Sequence, residues 1–596
     1  MRNAIRLLCL FFALLQACHS RPLDLSDVLD LKRPGPTSIS STGDVAFLIE
    51  RYLTRNLEVT GSRRYVQEAE LWLRRGSSPA LKMGPGGGFV SFSLDGSKLA
   101  TGVQKGDGFT YRVIDLSTQK HSDYGFTKRY TLSSDWSGDD FFYVEDIPQG
   151  RSDVQVFDTK RPRVRSVDRV MVVKASGQME AIAEGVISDV TASPEYPLVA
   201  WMEIAEFPDL PDVVDGWQSW SQKITLLDRS TGRRVERTFL PVGNGSLDMN
   251  WSPDGGELHV NSPEGIFVLS REGVRTATLE RTSETQESAR VETSLFEVTY
   301  QGETLWENDP DLREISYGRT VELKSEGNMS HWLLLPDPQL CPKPAEGYPV
   351  VTWVYPARRH HKKPLNFEPA GIELGELYAL TLFCSKGYAL YLPSTYPRNA
   401  VDGGRGTTLN HEPAAEMIAS YQRSLVPLQE SGLIDMNRIA VAGHSGGGNL
   451  TLEIAASDTP IKTAMAFSGI SDRAMWYWTF PPDVTTRSQP ENLIWKYIYF
   501  SWGESGQGDM GVPPWKDPDR WTRNSPVYRA DLITRPVLLI CGESERLHAE
   551  AMFTALLRQN KRARMLRFLD EPHYIRGREN YRVLWGELFA WLEENL

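Results

Sequence analysis

Residues 438–450, with the sequence RIAVAGHSGGGNL, decide the fold of the C-terminal half of this 596-residue chain. An apolar run typical of a buried strand enters the pattern Gly-x-Ser-x-Gly around Ser445, and a helix is expected to begin near Leu450. A serine on the sharp turn between a strand and a helix defines a nucleophile elbow. The sequence therefore predicts that Ser445 is a nucleophile, with an ordinary glycine-rich turn as the alternative.

The glycines around this serine have a steric and an electrostatic role in that prediction. Such a serine has strained backbone angles, and Gly443, Gly446 and Gly447 leave it room, with Gly448 extending the clearance. The backbone N–H of Gly446 is expected to donate to an anion that forms beside Ser445.

A serine nucleophile needs a histidine base, and only His548 and His573 follow Ser445 in the chain. His573 comes after an expected strand at about residues 565–569, where α/β folds place functional loops, so we predict that it is the base. His548 begins an amphipathic helical pattern, and we expect it at the surface or in a helix cap. A last helix is expected at about residues 579–596.

An acidic residue must orient the base, and the order serine, acid, histidine is typical of α/β-hydrolases. A buried strand at residues 536–542 is followed by Glu543 and Glu545, and Asp570 lies close to His573. All three carboxylates are candidates, because glutamate replaces aspartate in some enzymes of this fold.

These features resemble the catalytic domain of the prolyl oligopeptidase family of serine peptidases, and most of all the glutamyl endopeptidases. The matching segments extend from about residue 348 to the C-terminus. They are residues 350–356, residues 387–393, the elbow, residues 536–542, and His573 followed by residues 578–580.

The resemblance implies roles for three further residues. Tyr355, at the end of the first of these strands, would donate its hydroxyl to the oxyanion, with an aromatic side chain packed on the core as the alternative. Glu545 would take the position of the acid, where relatives carry aspartate, although the following loop looks shortened. Arg473 would meet an acidic substrate side chain, with pairing to Asp472 or another structural carboxylate as the alternative.

The N-terminal half has a different character, with short β-like runs separated by turns. Five turns of similar sequence precede apolar runs at intervals of roughly 40–60 residues, which suits the blades of a β-propeller. They are SSTGD at 40–44, FSLDG at 92–96, DWSGD at 135–139, ASPE at 192–195 and WSPDG at 251–255. A pair of β-sandwiches is the alternative. The resemblance also implies this architecture, and we expect seven blades.

The predicted organisation is a leader at residues 1–20, a propeller at 21–305 and an α/β-hydrolase domain with a mainly parallel doubly wound sheet at 306–596. Arginines before a short apolar run make residues 1–20 typical of a secretory signal. Residues 15–18 also resemble a bacterial lipobox, which would place a lipid anchor on Cys18. We therefore expect an exported protein, either periplasmic, secreted or an outer-membrane lipoprotein.

The composition of the chain limits the classes of ligand that it is expected to bind. The net charge of −12 argues against nucleic acid as a partner. No cofactor is expected and no spacing of residues suggests a metal site, so peptide substrates are the expected partners. Cys341 and Cys384 could form a disulfide in an oxidising compartment. The sequence does not indicate the oligomeric state.

The sequence thus predicts an exported serine peptidase that cleaves oligopeptides by acyl transfer through Ser445, His573 and an acid. A carboxylesterase or acyl-peptide hydrolase is the first alternative, because the same three groups serve ester and amide substrates. A binding protein whose hydrolase half has lost its activity is the second.

Overall fold

A computed structural model gives the architecture of the chain. It describes residues 21–51, 53, 55–59, 62–66, 68–106, 108–127, 132–147, 168–206, 221–239, 247–262, 265–277, 291–294, 296–316, 318–360, 378–396, 411–479, 496, 499–569 and 571–596. The expected leader, Cys18 and Asp570 lie outside the described residues.

The described chain begins with a short segment that belongs structurally to the C-terminal half. Strand β1 (Arg21–Pro22) pairs in parallel with β27 (Ile315–Ser316), and helix α1 (Leu25–Leu29) follows it. Asp24 caps this helix in a reciprocal capping box with Asp27. Leu29 packs into the same buried cluster as the side chains of the C-terminal helix.

The N-terminal half consists of antiparallel sheets of consecutive strands, which confirms the predicted propeller. The described residues contain six such sheets, five with four strands and one with three. The first four are formed by β2 (Lys32–Ile39), β3 (Val45–Arg51), β6 (Ala69–Arg74) and β7 (Leu81–Pro85); by β8 (Val90–Phe92), β9 (Lys98–Lys105), β10 (Gly108–Asp115) and β11 (His121–Thr127); by β12 (Ser134–Ser137), β13 (Asp140–Asp146), β14 (Asp168–Val173) and β15 (Met179–Gly185); and by β16 (Ile187–Ala192), β17 (Leu198–Glu206), β18 (Ser221–Asp228) and β19 (Arg234–Phe239).

The last two sheets bring the ring back to its start. They are formed by β20 (Asp248–Trp251), β21 (Leu258–Ser262), β22 (Gly265–Ser270) and β23 (Gly273–Ala277), and by β24 (Val291–Thr293), β25 (Glu297–Tyr300) and β26 (Glu303–Glu307). Val298 of the sixth sheet packs with Phe47 of the first. The count of seven blades stays a prediction, since segments between the strands lie outside the described residues.

Each of the five similar turns joins the first two strands of one sheet. The Asp95 carboxylate accepts hydrogen bonds from Ser93 Oγ at 2.7 Å and Ser97 N at 2.9 Å, and Gly96 has a φ of +72° that favours glycine. Trp251 Nε1 donates to Thr191 Oγ1 at 3.0 Å in the preceding sheet. These turns therefore shape each blade and join it to its neighbour.

A hairpin, β4 (Arg55–Val59) and β5 (Ser62–Val66), is inserted in the first sheet. Beyond the propeller, short 3-10 turns occur at Pro310–Glu314, Glu326–Asn328 and Pro526–Leu532.

The C-terminal half is built on one eight-stranded sheet with the order β28-β29-β31-β30-β32-β33-β34-β35. Its first three strands in that order pair antiparallel, and all later pairs are parallel. The strands are β28 (Arg319–Ser325), β29 (Met329–Leu335), β30 (Tyr348–Trp353), β31 (Ala389–Leu392), β32 (Ile434–His444), β33 (Thr463–Phe467), β34 (Val537–Cys541) and β35 (Ala563–Arg567). The predicted mainly parallel sheet is confirmed.

Helices cover both faces of this sheet, and a buried apolar cluster fills each side. They are α2 (Leu382–Ser385), α3 (Pro413–Glu430), α4 (Gly446–Ala455), α5 (Arg473–Trp478), α6 (Pro518–Arg523), α7 (Arg546–Arg558) and α8 (Arg578–Asn595). The helix after the elbow begins at Gly446, four residues before the expected start near Leu450. Among the described helices, none combines the length and the apolar composition that a membrane span requires.

Candidate active site

The loops at the carboxyl ends of four parallel strands form the candidate site. Tyr355 follows β30, Ser445 follows β32, Glu545 follows β34 and His573 follows β35. Carboxyl ends of parallel strands meet at one edge of a sheet, where α/β proteins carry their functional groups.

Ser445 occupies a strained turn, as the elbow pattern predicts. Its φ of +58° and ψ of −118° are angles that residues other than glycine rarely adopt. The turn is held from both sides, because Ser445 N donates to Phe467 O at 2.9 Å and Asn449 N donates to Ser445 O at 3.0 Å.

Close contacts explain why glycines surround this serine. A Cβ on Gly443 would lie 2.5 Å from Val354 O, and one on Gly447 would lie 2.3 Å from the same atom. A Cβ on Gly448 would lie 2.5 Å from Phe467 O. The start of α4 can therefore approach the neighbouring strand ends only without side chains.

Glu545 and His573 form a close pair. His573 Nδ1 lies 2.7 Å from Glu545 Oε1, and the Glu545 side chain is 2 % exposed. The second carboxylate oxygen of Glu545 is buried and makes no hydrogen bond within the described residues. A buried carboxylate on Nδ1 fixes the ring so that Nε2 faces away from it and is available as a base.

His444 connects His573 to the elbow. Its Nε2 donates to His573 O at 2.9 Å, and its ring lies 4.5 Å from the His573 ring and 4.4 Å from that of Tyr574, centre to centre. Burial, with the neighbouring His573 ring, lowers the pKa of His444 well below its usual value, so it is neutral. Ser468 Oγ also donates to His573 O, at 3.0 Å.

His444, the residue next to Ser445, thus links the elbow to the loop that carries His573. Within the described residues, the Ser445 hydroxyl makes no hydrogen bond to the imidazole. In enzymes without substrate this hydrogen bond is often long, and it tightens in the complex.

A second buried glutamate shapes the loop that carries His573. Glu571 accepts from Arg576 N at 2.9 Å, Gly577 N at 3.0 Å and Asn580 Nδ2 at 2.7 Å. Its carboxylate therefore ties the loop to the N-terminal end of α8. A Cβ on Gly542 would lie 2.1 Å from Pro572 O, so this loop also depends on a glycine after β34.

The other candidate acids, Glu543 and Asp570, and the other histidine, His548, do not form part of the Glu545–His573 pair in the residues that the structure describes. Glu543 pairs at the surface with Arg567 at 3.2 Å and Arg546 at 3.6 Å. Asp570 is outside the described residues. The expectation of a surface or capping His548 is wrong: it lies inside α7, is 2 % exposed, and burial lowers its pKa to about 3. The His548 ring lies on the buried face of α7, against Trp476. The amphipathic pattern did not indicate on which face of the helix it lies.

Tyr355 and Gly446 lie on the same side of the elbow, together with Gln507. Gln507 Nε2 lies 3.1 Å from the Tyr355 hydroxyl, and a Cβ on Gly446 would lie 2.8 Å from Gln507 Oε1. The loop of Tyr355 is held by Thr395, whose hydroxyl donates to Tyr355 O. A hydroxyl and the first N–H of α4 on one side of a nucleophile can stabilise an oxyanion.

Arg473 is buried beside this site, with 3 % of its surface exposed. Its guanidinium donates to Asn524 O at 2.6 Å, Gly508 O at 3.2 Å and Asn449 Oδ1 at 2.8 Å. The nearest carboxylate is that of Glu453, at 3.9 Å, which also pairs with Arg529. Asp472 instead caps α5 and accepts from Tyr528. Burial lowers the pKa of Arg473 to about 10, so it is charged at neutral pH.

Cys341 and Cys384 are free thiols that line one small cavity between β1 and α2. Burial raises the pKa of Cys384 to about 12, so this thiol is unreactive at neutral pH. In the part of the chain that the structure describes, no three His, Cys, Asp or Glu side chains cluster in a way that could hold a metal ion.

Comparison with known proteins gives a family for the last part of the chain. Residues 425–596 match the model of the prolyl oligopeptidase family. The chain contains a serine-peptidase domain of the prolyl oligopeptidase family. The match spans Ser445, Glu545 and His573.

One curated relative agrees with the resemblance to glutamyl endopeptidases. The probable chloroplastic glutamyl endopeptidase of Arabidopsis thaliana is 24 % identical over 262 residues, which is 41 % of this chain and 24 % of that protein. The match thus spans about a quarter of the relative's length.

Solved structures show that the likeness of fold extends over both halves. The acylaminoacyl peptidase of Pyrococcus horikoshii is 15 % identical, with a TM-score of 0.65 over 96 % of this chain and 97 % of that one. A puromycin-hydrolyzing peptidase of Mycobacterium tuberculosis is 16 % identical, with a TM-score of 0.56 over 97 % and 96 %.

Three residues of this prolyl oligopeptidase family domain were not found from the sequence, namely His444, Gln507 and Glu571. His444 directly precedes Ser445, so its position was a usable signal. Gln507 sits in the glycine-rich stretch GESGQGDMG at 503–511, which marks a tight loop without indicating what it approaches. Glu571 is two residues from the base, among other charged residues.

Proposed function

We propose that this protein hydrolyses oligopeptides by acyl transfer, with Ser445 as nucleophile, His573 as general base and Glu545 as the acid that orients it. The Gly446 N–H and the Tyr355 hydroxyl hold the oxyanion. Ser445 Oγ attacks the peptide carbonyl while His573 Nε2 takes its proton, and the protonated imidazole then gives that proton to the departing amine. Water releases the acyl group by the same route in reverse.

The contact of 2.7 Å between His573 Nδ1 and Glu545 Oε1 carries this proposal. Burying a carboxylate is costly without a charged or hydrogen-bonding partner, and the imidazole of His573 is the partner of Glu545. The pair also lies beside a serine held at positive φ, and backbone strain of this kind concentrates at functional sites.

The decisive experiment replaces the nucleophile. Ser445→Ala should lower kcat on fluorogenic peptides by about 10⁶ and abolish labelling by a fluorophosphonate probe, while the thermal unfolding profile stays unchanged. Ser457→Ala, just beyond the other end of α4, is the matched control and should retain activity. Peptide hydrolysis by Ser445→Ala at the rate of the unmodified enzyme would refute the proposal.

Assays with ester and acyl-peptide substrates distinguish the proposed peptidase from the two alternatives. Turnover of p-nitrophenyl esters or acylated amino acids without cleavage of longer peptides would favour a carboxylesterase or acyl-peptide hydrolase. Failure of the unmodified protein to react with the fluorophosphonate would favour the binding protein.

A preference for acidic residues at the cleavage position is the finer part of the proposal. The two terminal nitrogens of Arg473 carry four N–H groups, and one on each is used in the contacts to Gly508 and Asn449. Arg473 reaches Glu453 only at 3.9 Å and has the buried Asp509 in its neighbourhood, and the cavity that it lines reaches Gly446. Such a cavity favours a carboxylate.

Peptides that differ only at the cleavage position test this preference. Glutamate should give a kcat/KM at least tenfold above glutamine, because the two side chains have the same shape and differ in charge. Equal rates for the two, or faster cleavage after lysine, would remove the acidic preference and leave the acyl-transfer mechanism standing.

We also propose export, supported by the signal-like composition of residues 1–20. Mass spectrometry of the mature N-terminus distinguishes the routes: a lipid-modified Cys18 as first residue indicates an anchored protein, whereas a start after Ser20 indicates a free one. Retention of Met1 in the mature protein would contradict both.

A further inference from the structure

The amide of Gln507 lies between an indole and the hydroxyl of the proposed oxyanion donor. Trp502 Nε1 donates to Gln507 Oε1 at 3.4 Å, and Gln507 Nε2 lies 3.1 Å from the Tyr355 hydroxyl. The same amide approaches the elbow so closely that a Cβ on Gly446 would meet its oxygen at 2.8 Å.

The indole fixes the direction of these hydrogen bonds. An indole N–H can only donate, so the atom it contacts must be the amide oxygen of Gln507. The amide nitrogen then faces Tyr355, and the Tyr355 oxygen accepts from it. The other possible bond, in which the Tyr355 hydroxyl donates to Gln507 Oε1, is 3.4 Å long, against 3.1 Å for the bond from Gln507 Nε2.

A hydroxyl that accepts from Gln507 directs its own proton away from Gln507. Chains of hydrogen bonds also polarise one another, so a tyrosine that accepts a bond becomes a better donor. The hydrogen bonds from Trp502 to Gln507 and from Gln507 to Tyr355 therefore orient the Tyr355 O–H and make it a stronger donor on the side of the elbow where the oxyanion forms.

The loop that carries Gln507 is held on both sides. Gly506 N donates to Ser501 O at 2.7 Å, and Gly508 N donates to Trp502 O at 2.7 Å. Arg473 Nη1 adds a bond to Gly508 O at 3.2 Å. A Cβ on Gly508 would lie 2.7 Å from Gly503 Cα, so this loop is compact and its central glutamine is preorganised.

We propose that Gln507 is a positioning residue that orients the Tyr355 hydroxyl toward the oxyanion. This inference rests on the proposed function, because it needs a reaction in which Tyr355 stabilises that charge. It predicts that the effect of Gln507 on kcat runs through Tyr355, whereas an effect on KM can also arise because Gln507 lines the cavity beside Arg473.

A double-mutant cycle on a fluorogenic peptide tests the coupling. Gln507→Leu approximately keeps the size of the side chain and removes both polar atoms, and it should lower kcat about tenfold. In a Tyr355→Phe background the same substitution should change kcat less than twofold, because the hydroxyl that it orients is gone. A multiplicative effect of the two substitutions would overturn the inference.

Gln507→Glu tests the direction of the hydrogen bond. An ionised carboxylate can only accept, so it should draw the Tyr355 proton away from the oxyanion and lower kcat below that of Gln507→Leu at pH 8. The kcat of Gln507→Glu divided by that of Gln507→Leu should rise as pH falls, because the carboxyl then takes a proton. A value of this ratio above one at pH 8, or a ratio that does not change with pH, would contradict this assignment of the hydrogen bond.

Further variants separate misfolding and failure of the proposed function. Trp502→Phe keeps the aromatic ring and removes the indole donor, so it should show a smaller loss of kcat that also disappears in the Tyr355→Phe background. If the unmodified protein shows no hydrolysis that depends on Ser445, the proposed function and this inference fall together. If Ser445 and Tyr355 variants lose activity while Gln507→Leu retains it, the inference alone is wrong.

Discussion

The identity of the acid rests on one side chain, and its neighbour provides the control. Glu545→Gln keeps the shape of the side chain but offers an amide that favours the wrong tautomer of His573, so kcat should fall by about 10⁴. Glu543→Gln removes a carboxylate that only pairs with surface arginines, and such pairs contribute little. Steady-state kinetics on one peptide compares the two variants.

The outcome decides between two geometries. Loss in Glu545→Gln with normal kcat in Glu543→Gln supports the contact at 2.7 Å. The reverse order would mean that the loop after β34 rearranges around substrate and presents Glu543 to the base. A third result, little loss in either variant, would direct attention to Asp570.

Residues that carry charge or strain could be found from the sequence more easily than those that act through a neighbour. Ser445, Glu545 and His573 follow strands, and strand ends are visible as apolar runs that stop. Gln507 contacts Tyr355 from a loop 152 positions away in the chain. No local pattern records such a contact, because it depends on how separate loops pack.

At the scale of single elements, the loop between β35 and α8 depends on a glycine after β34. Gly542→Ala would place a methyl group 2.1 Å from Pro572 O and 2.4 Å from Glu571 O, so the loop that carries His573 must shift. We expect kcat to fall at least tenfold and the free energy of unfolding to fall by about 1–3 kcal/mol. Peptide kinetics and urea unfolding measure the two effects.

Gly586 in α8 is the matched control for this substitution. An added Cβ meets no atom within 4 Å there, so Gly586→Ala should stabilise the helix by about 0.5–1 kcal/mol without changing kcat. Similar effects of the two substitutions would show that the contacts around Gly542 do not constrain the base.

The start of α4 shows where element boundaries escape sequence patterns. Glycines have low helix propensity, so the run from Gly446 to Gly448 suggested a turn and the apolar periodicity suggested a start near Leu450. The helix nevertheless begins at Gly446. Glycines occupy its first turn because a Cβ at position 447 or 448 would collide with Val354 O or Phe467 O. Tertiary contacts override propensity here.

At the scale of the whole molecule, local turn chemistry predicted the propeller well, because five of the six described sheets repeat the same short hairpin. The number of blades is a property of ring closure between distant strands, which repeated turns do not specify. The first segment of the chain also joins the C-terminal half: Arg578 pairs with Asp30 at 2.5 Å, and Arg51 of the propeller lies 3.5 Å from the same carboxylate.

Buried histidines should make the stability of the molecule depend on pH. Burial lowers the pKa of His331 to about 4 and that of His548 to about 3. His331 Nδ1 accepts from Ser394 N at 3.1 Å, a bond that a protonated ring would lose. The unfolded chain takes up protons below its histidine pKa of about 6.5, whereas the folded chain resists them, so acidification favours unfolding.

The contribution of these two histidines to the free energy of unfolding should therefore be constant above about pH 7 and fall as pH drops from about 6.5 toward 4, with each of them costing about 2 kcal/mol at pH 5. Urea unfolding at pH 7.5 and pH 5.0 measures the difference. His548→Gln cannot take up a proton and should remove about 2 kcal/mol of that difference, whereas His121→Gln, at an exposed position, should leave it unchanged. An equal dependence on pH in the His548 variant and the unmodified protein would show that this ring takes up its proton in the folded state as readily as in the unfolded one.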